Sequence, residues 1–361
     1  MSIGAGGVRG SARIVAAAAV AFALLPSATQ ADTLEWALVQ AYQNNPTMNA
    51  QRAAVRATDE SVPQALSGYR PKISATASAT EQYIDTRSKA STTSNVYTSQ
   101  SGNNVAQSYG ATITQNVLNG FQTANRTRQA ESQVSGARET LRNTEQQVLL
   151  SAATAYMNLL RDSAILDLQR RNVEVLQEQL RQTRDRFNVG EVTRTDVAQA
   201  ESRLAAGRSS LLSAESNYTT SRSTYRQVIG VEAGKLAAAS PVDRLSPKAL
   251  PQAINEARTI HPTVTVAQFT VDAALLQVKI NEGALYPTLN VVGSATKGFG
   301  AASSLTTIEQ FVGSVAGQYS IPVYQGGGEY SAIRQAKETL SQRRVDLDTA
   351  REQSQQTVVQ S

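Results

Sequence analysis

The sequence has no cysteine and a single histidine, His261. The first absence excludes disulfide scaffolds, thiol catalysis, cysteine-ligated metals and a lipid anchor on an N-terminal cysteine. The second leaves no histidine dyad and no multi-histidine metal site within one chain. Aromatic residues are scarce, with one Trp, 12 Tyr and 6 Phe among 361 residues. Such a chain does not build one thick globular core. It suits long helices packed through small side chains, or strands that meet water on one face. No Gly-rich phosphate loop follows a strand, because Gly326-Gly327-Gly328 stands where a strand ends and a long helix begins. No enzyme activity, cofactor or metal is therefore expected. The formal charge of +5 is too mild and too evenly spread to point to nucleic acid.

Long apolar runs are also missing, apart from one at the start. Arg9 and Arg13 precede the run Ile14–Leu25, followed by Pro26 and Ala28-Thr29-Gln30-Ala31. This is the order of a secretory signal peptide, expected over residues 1–31. The run is too short to cross a bilayer as a helix. Cleavage after Ala31 removes two arginines and no acid, lowering the formal charge from +5 to +3. No later segment reaches the length of a transmembrane helix, so a membrane destination requires a β-barrel.

What the sequence does contain is itself, twice. Ala37, Leu38, Ala41, Asn45-Pro46, Pro71, Ile73 and Ser78-Ala79-Thr80 recur 216 residues later. Their counterparts are Ala253, Ile254, Ala257, His261-Pro262, Pro287, Leu289 and Ser294-Ala295-Thr296. A second block, Val117, Gly120, Gln129-Ala130 and Leu141, recurs at an offset of 206 as Val323, Gly326, Gln335-Ala336 and Leu347. The change of offset falls where the first copy has a longer polar stretch, Ser88 to Ser108, which reads as a loop. The organisation is thus a first repeat over 32–230, an irregular connector over 231–251 and a second, incomplete repeat over 252–361.

Each copy opens with a short helix ended by the Asn-Pro or His-Pro step. A second helix follows, about Pro46 to Ser67 and Pro262 to Gly283, with Pro at its first turn. Pro63 should kink or end the first of these. Two strands per copy come next. Ile73, Ala75, Ala77 and Ala79 alternate with Ser74, Thr76, Ser78 and Thr80, and Ala111, Ile113 and Val117 with Thr112, Thr114 and Asn116. Leu289, Val291 and Ala295 alternate with Asn290, Ser294 and Thr296, and Phe311, Val315, Tyr319, Ile321 and Val323 with Ser314, Gln318 and Ser320. One apolar and one hydroxyl-rich face fit a barrel between lipid and a wet lumen; an ordinary half-buried sheet has the same alternation. Four strands cannot close a membrane barrel, so a barrel must be shared between chains.

From Gln122 to Asn188 the chain is helical and free of proline, roughly 100 Å at helical rise. Apolar residues recur by sevens at Leu141, Val148 and Ala155, then at Leu159, Leu166, Val173, Leu180 and Phe187. The return helix, about Thr195 to Ile229, repeats the pattern at Val197, Leu204, Leu211, Tyr218 and Tyr225. Its second seam is small: Ala200, Gly207, Ala214 and Ser221. The sustained heptad means an antiparallel coiled-coil hairpin. The turn between the arms runs Arg186-Phe187-Asn188-Val189-Gly190-Glu191-Val192-Thr193-Arg194-Thr195-Asp196-Val197. Gly190 caps the first arm, and Thr195 or Asp196 can cap the second. Capping alone explains those residues; a docking tip is the other reading.

The tandem halves, the Asn-Pro and Tyr-x-Pro or Tyr-Pro steps, the Val-Leu-Asn-Gly and Val-Tyr-Gln-Gly turns and the Arg-Phe-x-Val-Gly-x-Val-x-x-Thr-Asp-Val tip together resemble the TolC family of outer-membrane efflux and secretion ducts. The resemblance runs from about Leu34 to Ser361. It implies a mainly α chain with a β-barrel contribution, four strands from each of three chains closing a twelve-stranded barrel. It also implies a non-lipidated, passive channel in the outer membrane with a helical extension through the periplasm. Small molecules or secreted proteins would arrive from an inner-membrane pump by way of a periplasmic adaptor. The adaptor contacts carried over are Val189, Gly190, Val192, Thr195 and Asp196, with Asp196 also a candidate tie holding the entrance shut. Against the first copy, the second is expected to lack its tip and return arm, where the family's gate partners lie. The alternative class is a periplasmic coiled-coil adaptor or adhesin-like protein without a barrel.

Overall fold

The computed structural model describes residues 32–89, 96–238, 247, 249–300 and 309–360. The expected signal peptide, residues 1–31, lies outside them. The elements in order are α1 (Leu34–Asn44), α2 (Pro46–Asp59), α3 (Ser61–Leu66), β1 (Lys72–Lys89), β2 (Tyr97–Asn119), α4 (Gln122–Asn188), α5 (Arg194–Ile229), α6 (Leu250–Ile260), α7 (Pro262–Gly283), β3 (Thr288–Phe299), β4 (Glu309–Ser320) and α8 (Gly328–Gln360). The chain is mainly helical, with one curled antiparallel sheet. It divides into two compact units, one comprising residues up to Tyr42 with Leu149–Pro241, the other Gln43–Val148 with residues from Val242 onward. α4 runs from the second unit into the first.

The first unit is built on the antiparallel pair made by α4, from Leu149, and α5. Along α4 the buried positions Ala155, Leu159, Leu166, Val173 and Leu180 follow the heptad, while Phe187 at its end is exposed. On α5, Leu204 packs with Val173 and Leu180. A Cβ on Gly207 would stand 2.6 Å from Leu176 Cδ1, so the glycine brings the two helices close. A second cluster joins Ala37 and Ala41 of α1 to Ala152, Tyr156, Leu159, Tyr225 and Ile229. Burying a side chain the size of Leu159 or Ile229 contributes roughly 1.5–3 kcal/mol. One polar pair interrupts the seam: buried Asp162 accepts hydrogen bonds from Ser221 of α5 and from Arg161 Nε, the latter at 2.9 Å. These bonds, Arg161's first, hold its carboxyl below the usual carboxylate range. An apolar seam tolerates such a pair in only one register, so it pins the two helices lengthwise.

The described part of the connector is tied to the start of the chain. Asp32 N–H donates to Lys235 O at 2.8 Å, its carboxylate accepts from Gly234 N–H at 2.7 Å, and Tyr156 Oη donates to the Ala237 and Asp32 carbonyls.

The second unit holds the sheet, in the order β1-β2-β3-β4, every neighbour antiparallel. The expected loop from Ser88 to Ser108 is mostly strand. β1 continues to Lys89 and β2 begins at Tyr97, with Lys89 opposite Tyr97. Backbone ladder bonds carry this ribbon past the end of β3, so it needs no apolar face. The helix expected to about Ser67 is broken at Glu60, between α2 and α3. Pro63 has no N–H to give Asp59 O, and its ring crowds that carbonyl. α7, with no proline at the matching place, runs unbroken. Asn45 caps α2, its Oδ1 accepting from Thr47 N–H at 2.9 Å and Met48 N–H at 3.3 Å. His261 takes the same place before α7, Nδ1 accepting from Thr263 N–H at 3.3 Å. Ala130 and Val134 in α4 and their repeat counterparts Ala336 and Leu340 in α8 are all buried.

Candidate functional site

Register assigns the paired strand residues to one of two faces; Val117, expected in the apolar series, falls in a bulge, and Leu118 stands opposite Leu289 in its place. Ser74, Thr112, Ser294 and Ser314 lie side by side across all four strands, as do Asn116, Asn290 and Gln318 across the last three. Ser78 and Ser108 hydroxyls meet at 2.8 Å, and Ser294 and Ser314 repeat the pairing at 2.8 Å. The other face aligns Ile73, Ile113, Gly293 and Val315, then Ala75, Ala111, Ala295 and Gly313. This apolar face is uncovered: Ile73 is 74% and Val315 83% exposed. Water-facing apolar surface on this scale marks a site of interaction with something less polar.

The dimensions fit lipid. From Leu289 to Phe299 the apolar face climbs roughly 33 Å along β3 at about 3.3 Å per residue. A barrel tilt of about 40° reduces that to roughly 25 Å, the height of an outer-membrane apolar band. Aromatics mark its margins, Tyr319 at one and Tyr109, Phe299 and Phe311 at the other. There the Tyr109 and Phe299 rings pack edge to face at 6.2 Å, and Lys297, paired with Glu309 at 2.5 Å, lies 5.2 Å from the Phe299 centroid. Amphipathic aromatics and long cations suit the interfacial layer. Among the described residues no helix is long and apolar enough to cross a membrane.

The turn between α4 and α5 belongs to the first unit. Gly190 has φ 82°; its N–H donates to Phe187 O at 3.0 Å and Glu191 N–H donates to Arg186 O at 2.9 Å. This is a Schellman ending, with glycine in its left-handed position. The cap of α5 is Thr193, rather than Thr195 or Asp196. Thr193 Oγ1 accepts from Asp196 N–H at 3.3 Å, while the Asp196 carboxylate accepts from Thr193 N–H at 2.8 Å and from its hydroxyl at 2.7 Å. A helix beginning at Arg194 puts Thr195 inside the first turn and Asp196 where a capping box needs its acid. The two Thr193 bonds hold the Asp196 carboxyl below its ordinary value.

Val189 is 73% exposed, Thr195 and Asp196 are exposed, and Val192 is half-buried. Thr195 also lines a groove of about 520 Å³ with Phe187, Arg194, Val197, Ala198 and Glu201. Sequence reading passes over Ala198 and Glu201 there. The only signal for the groove is Phe187, a heptad residue at the end of its series with no further turn of helix to cover it. Arg184 to Glu201 at 2.6 Å and Arg186 to Glu191 at 3.0 Å tie the turn down.

Comparison with known proteins agrees with this geometry. The family model described as outer membrane efflux protein matches residues 37–231 and 253–361. The outer membrane efflux protein BepC of Brucella suis biovar 1 (strain 1330) is 37% identical over 341 residues, covering 93% of this chain and 70% of that protein. The outer membrane protein TolC of Escherichia coli (strain K12) is 28% identical over 348 residues, covering 92% of this chain and 67% of that one. Among solved structures, the Campylobacter jejuni CmeC outer membrane channel superposes with a TM-score of 0.71 at 15% identity, over 88% of this chain and 67% of that one.

Proposed function

Because the chain belongs to the outer membrane efflux protein family and is an outer-membrane channel of the efflux and type I secretion kind, we propose that three copies close one twelve-stranded barrel, apolar face to lipid and hydroxyl face to the lumen. The observation that carries this is the open sheet. β1 and β4 have no strand beyond them within the described residues, and a two-faced sheet of four strands cannot close alone. A third of a barrel is what each chain then supplies. Cargo moves passively through a wall of Ser, Thr, Asn and Gln that offers hydrogen bonds without a deep binding site.

The natural absence of cysteine makes the test clean. Single cysteines placed along β1 and along β4, one of each per chain, are oxidised in the native outer-membrane fraction. Dimer and trimer bands with nothing larger are expected. Monomer alone, or an open-ended ladder, overturns the shared barrel.

We further infer that the α4–α5 turn meets a periplasmic adaptor, and through it an inner-membrane pump, at Val189, Gly190, Val192, Thr195 and Asp196. The support is an exposed Val189 on a rigidly capped turn beside a groove. The carboxylate of Asp196 caps its own helix, so a tie across the entrance would draw on the same group. Val189→Asp changes the exposed surface and leaves the caps alone. It should lower export at unchanged outer-membrane abundance; unchanged export counts against docking here.

A further inference from the structure

The geometry points to an anion-favouring wall, with Arg70, Lys72 and Arg126 forming a docking point for an oxyanion, phosphate or carboxylate, at its foot. This rests on the reading that the hydroxyl face lines the lumen. It goes beyond that reading by naming the charge of the cargo the wall accepts.

Two independent observations carry it. The first is register. Strand residues that share the face of Ser74 and Thr112 include one charged side chain, Lys72. The carboxylates of the strands, Glu81, Asp85 and Glu309, all stand on the opposite face. Among the described strand residues the hydroxyl face therefore has hydroxyls, amides, a few aliphatic side chains such as Val292 and Val312, and one cation, but no anion to repel a negative solute or attract a positive one.

The second is a cavity of about 280 Å³ at the base of the same face. Arg70, Lys72 and Arg126 line it together with Thr114, Asn116 and Asn290. Thr114 pairs with Lys72 and Asn116 with Asn290, so these side chains come from the hydroxyl face itself. No carboxylate lines the cavity. Among the described residues none of the three cations forms an ion pair, and the bond made by the Arg126 side chain is to the neutral Gln122 Oε1 at 3.2 Å. Arginines elsewhere are commonly matched, as Arg138 is to Asp59 at 3.2 Å and Arg181 to Glu178 at 2.6 Å. Three cations without an ion pair line one polar hollow, and an oxyanion entering it can accept charge-assisted hydrogen bonds from the guanidinium groups. The hollow has room for a phosphate or carboxylate group with accompanying water. It acts as a charged step on the path, repeated by each copy. A lipid headgroup is the other source of such an oxyanion, but the face that meets lipid in this reading is the opposite one.

The test uses the full-length native channel in planar bilayers under a KCl gradient, comparing wild type with the triple variant Arg70→Gln, Lys72→Gln, Arg126→Gln. The variant's reversal potential is expected to move toward cations, and millimolar inorganic phosphate in the bath should reduce the conductance of the wild type but not of the variant. Identical reversal potentials and identical phosphate response overturn the proposal. Should the triple variant not assemble, the three single glutamine variants must each show a smaller shift of the same sign, and no shift in any of them overturns it equally. Labelling of Thr112→Cys and Ala111→Cys tells the two failures apart. A membrane-impermeant thiol reagent should reach Cys at 112 through the pore and not Cys at 111. The reverse pattern overturns the lumen reading itself. Loss of the phosphate response on substituting phospholipid headgroups in the bilayer, rather than the protein, would assign the oxyanion to lipid and overturn the cargo assignment.

Discussion

Gly120 and Gly326 occupy the same place in the two copies of the repeat, and both are left-handed, with φ of 59° and 72°. Their surroundings differ. A Cβ on Gly120 would stand 2.1 Å from the carbonyl oxygen of Gly283, and one on Gly283 would stand 2.5 Å from the carbonyl oxygen of Gly120. A Cβ on Gly326 meets nothing within 4 Å among the described residues. The turn from strand to long helix is thus common to both copies, whereas backbone-to-backbone contact has been built onto only one. Elsewhere, too, the copies answer one local requirement in two ways, with a broken helix against a continuous one and an amide cap against an imidazole cap.

The largest effect expected from this comparison is at the first glycine. Gly120→Ala adds a backbone clash to a left-handed residue and should cost more than about 3 kcal/mol. Gly326→Ala bears only the left-handed penalty of about 1–2 kcal/mol. Unfolding midpoints of the two variants measure the difference, and equal losses would break the comparison. Next come the helices. Lys279→Pro places in α7 the residue that interrupts the first copy, and should cost about 3 kcal/mol and reduce helicity by circular dichroism. Pro63→Ala should raise helicity by joining α2 to α3; an unchanged spectrum would mean that something other than the proline breaks the helix at Glu60.

The caps give the smallest effects and the finest comparison. Asn45→Ala should cost about 1 kcal/mol in thermal unfolding. His261 caps α7 only when Nδ1 is free to accept, and burial pushes its pKa below the ordinary value of 6.5. Its contribution is therefore complete above that value and is lost as the pH falls through the lower, folded one. Melting temperature should drop more between pH 7.5 and pH 5 for the wild type than for His261→Asn, which caps at either pH. Parallel pH profiles would remove the histidine from the cap.

Much of this architecture is legible in the order of the residues. The duplication, the strand alternation and the heptads of α4 and α5 are periodic signals, and periodicity survives when individual residues are ambiguous. The TolC-family resemblance reads the fold correctly for the same reason: it rests on order and spacing. What escapes is carried by atoms the pattern does not encode. Residues 98–104 are polar or glycine throughout, so nothing in their composition announces a strand, and the ladder that makes them one is a backbone property. Thr193, Thr195 and Asp196 offer three plausible caps within four residues. Only the reciprocal bond that Thr193 N–H donates to the Asp196 carboxylate selects one of them. The groove beside the turn shows along the sequence only in Phe187, and the cluster of Arg70, Lys72 and Arg126 joins α4 to the foot of β1 and has no signature along it.

The paired serines bear on transit. In each of the pairs Ser78 with Ser108 and Ser294 with Ser314 one hydroxyl proton is spent across the ladder, so two serines offer a passing molecule one free donor and their remaining lone pairs. Such a surface wets readily yet grips weakly, so a solute's residence at any one row is short. Friction along the strands would then be greatest at the rows where hydroxyls stand alone, each with its own donor free.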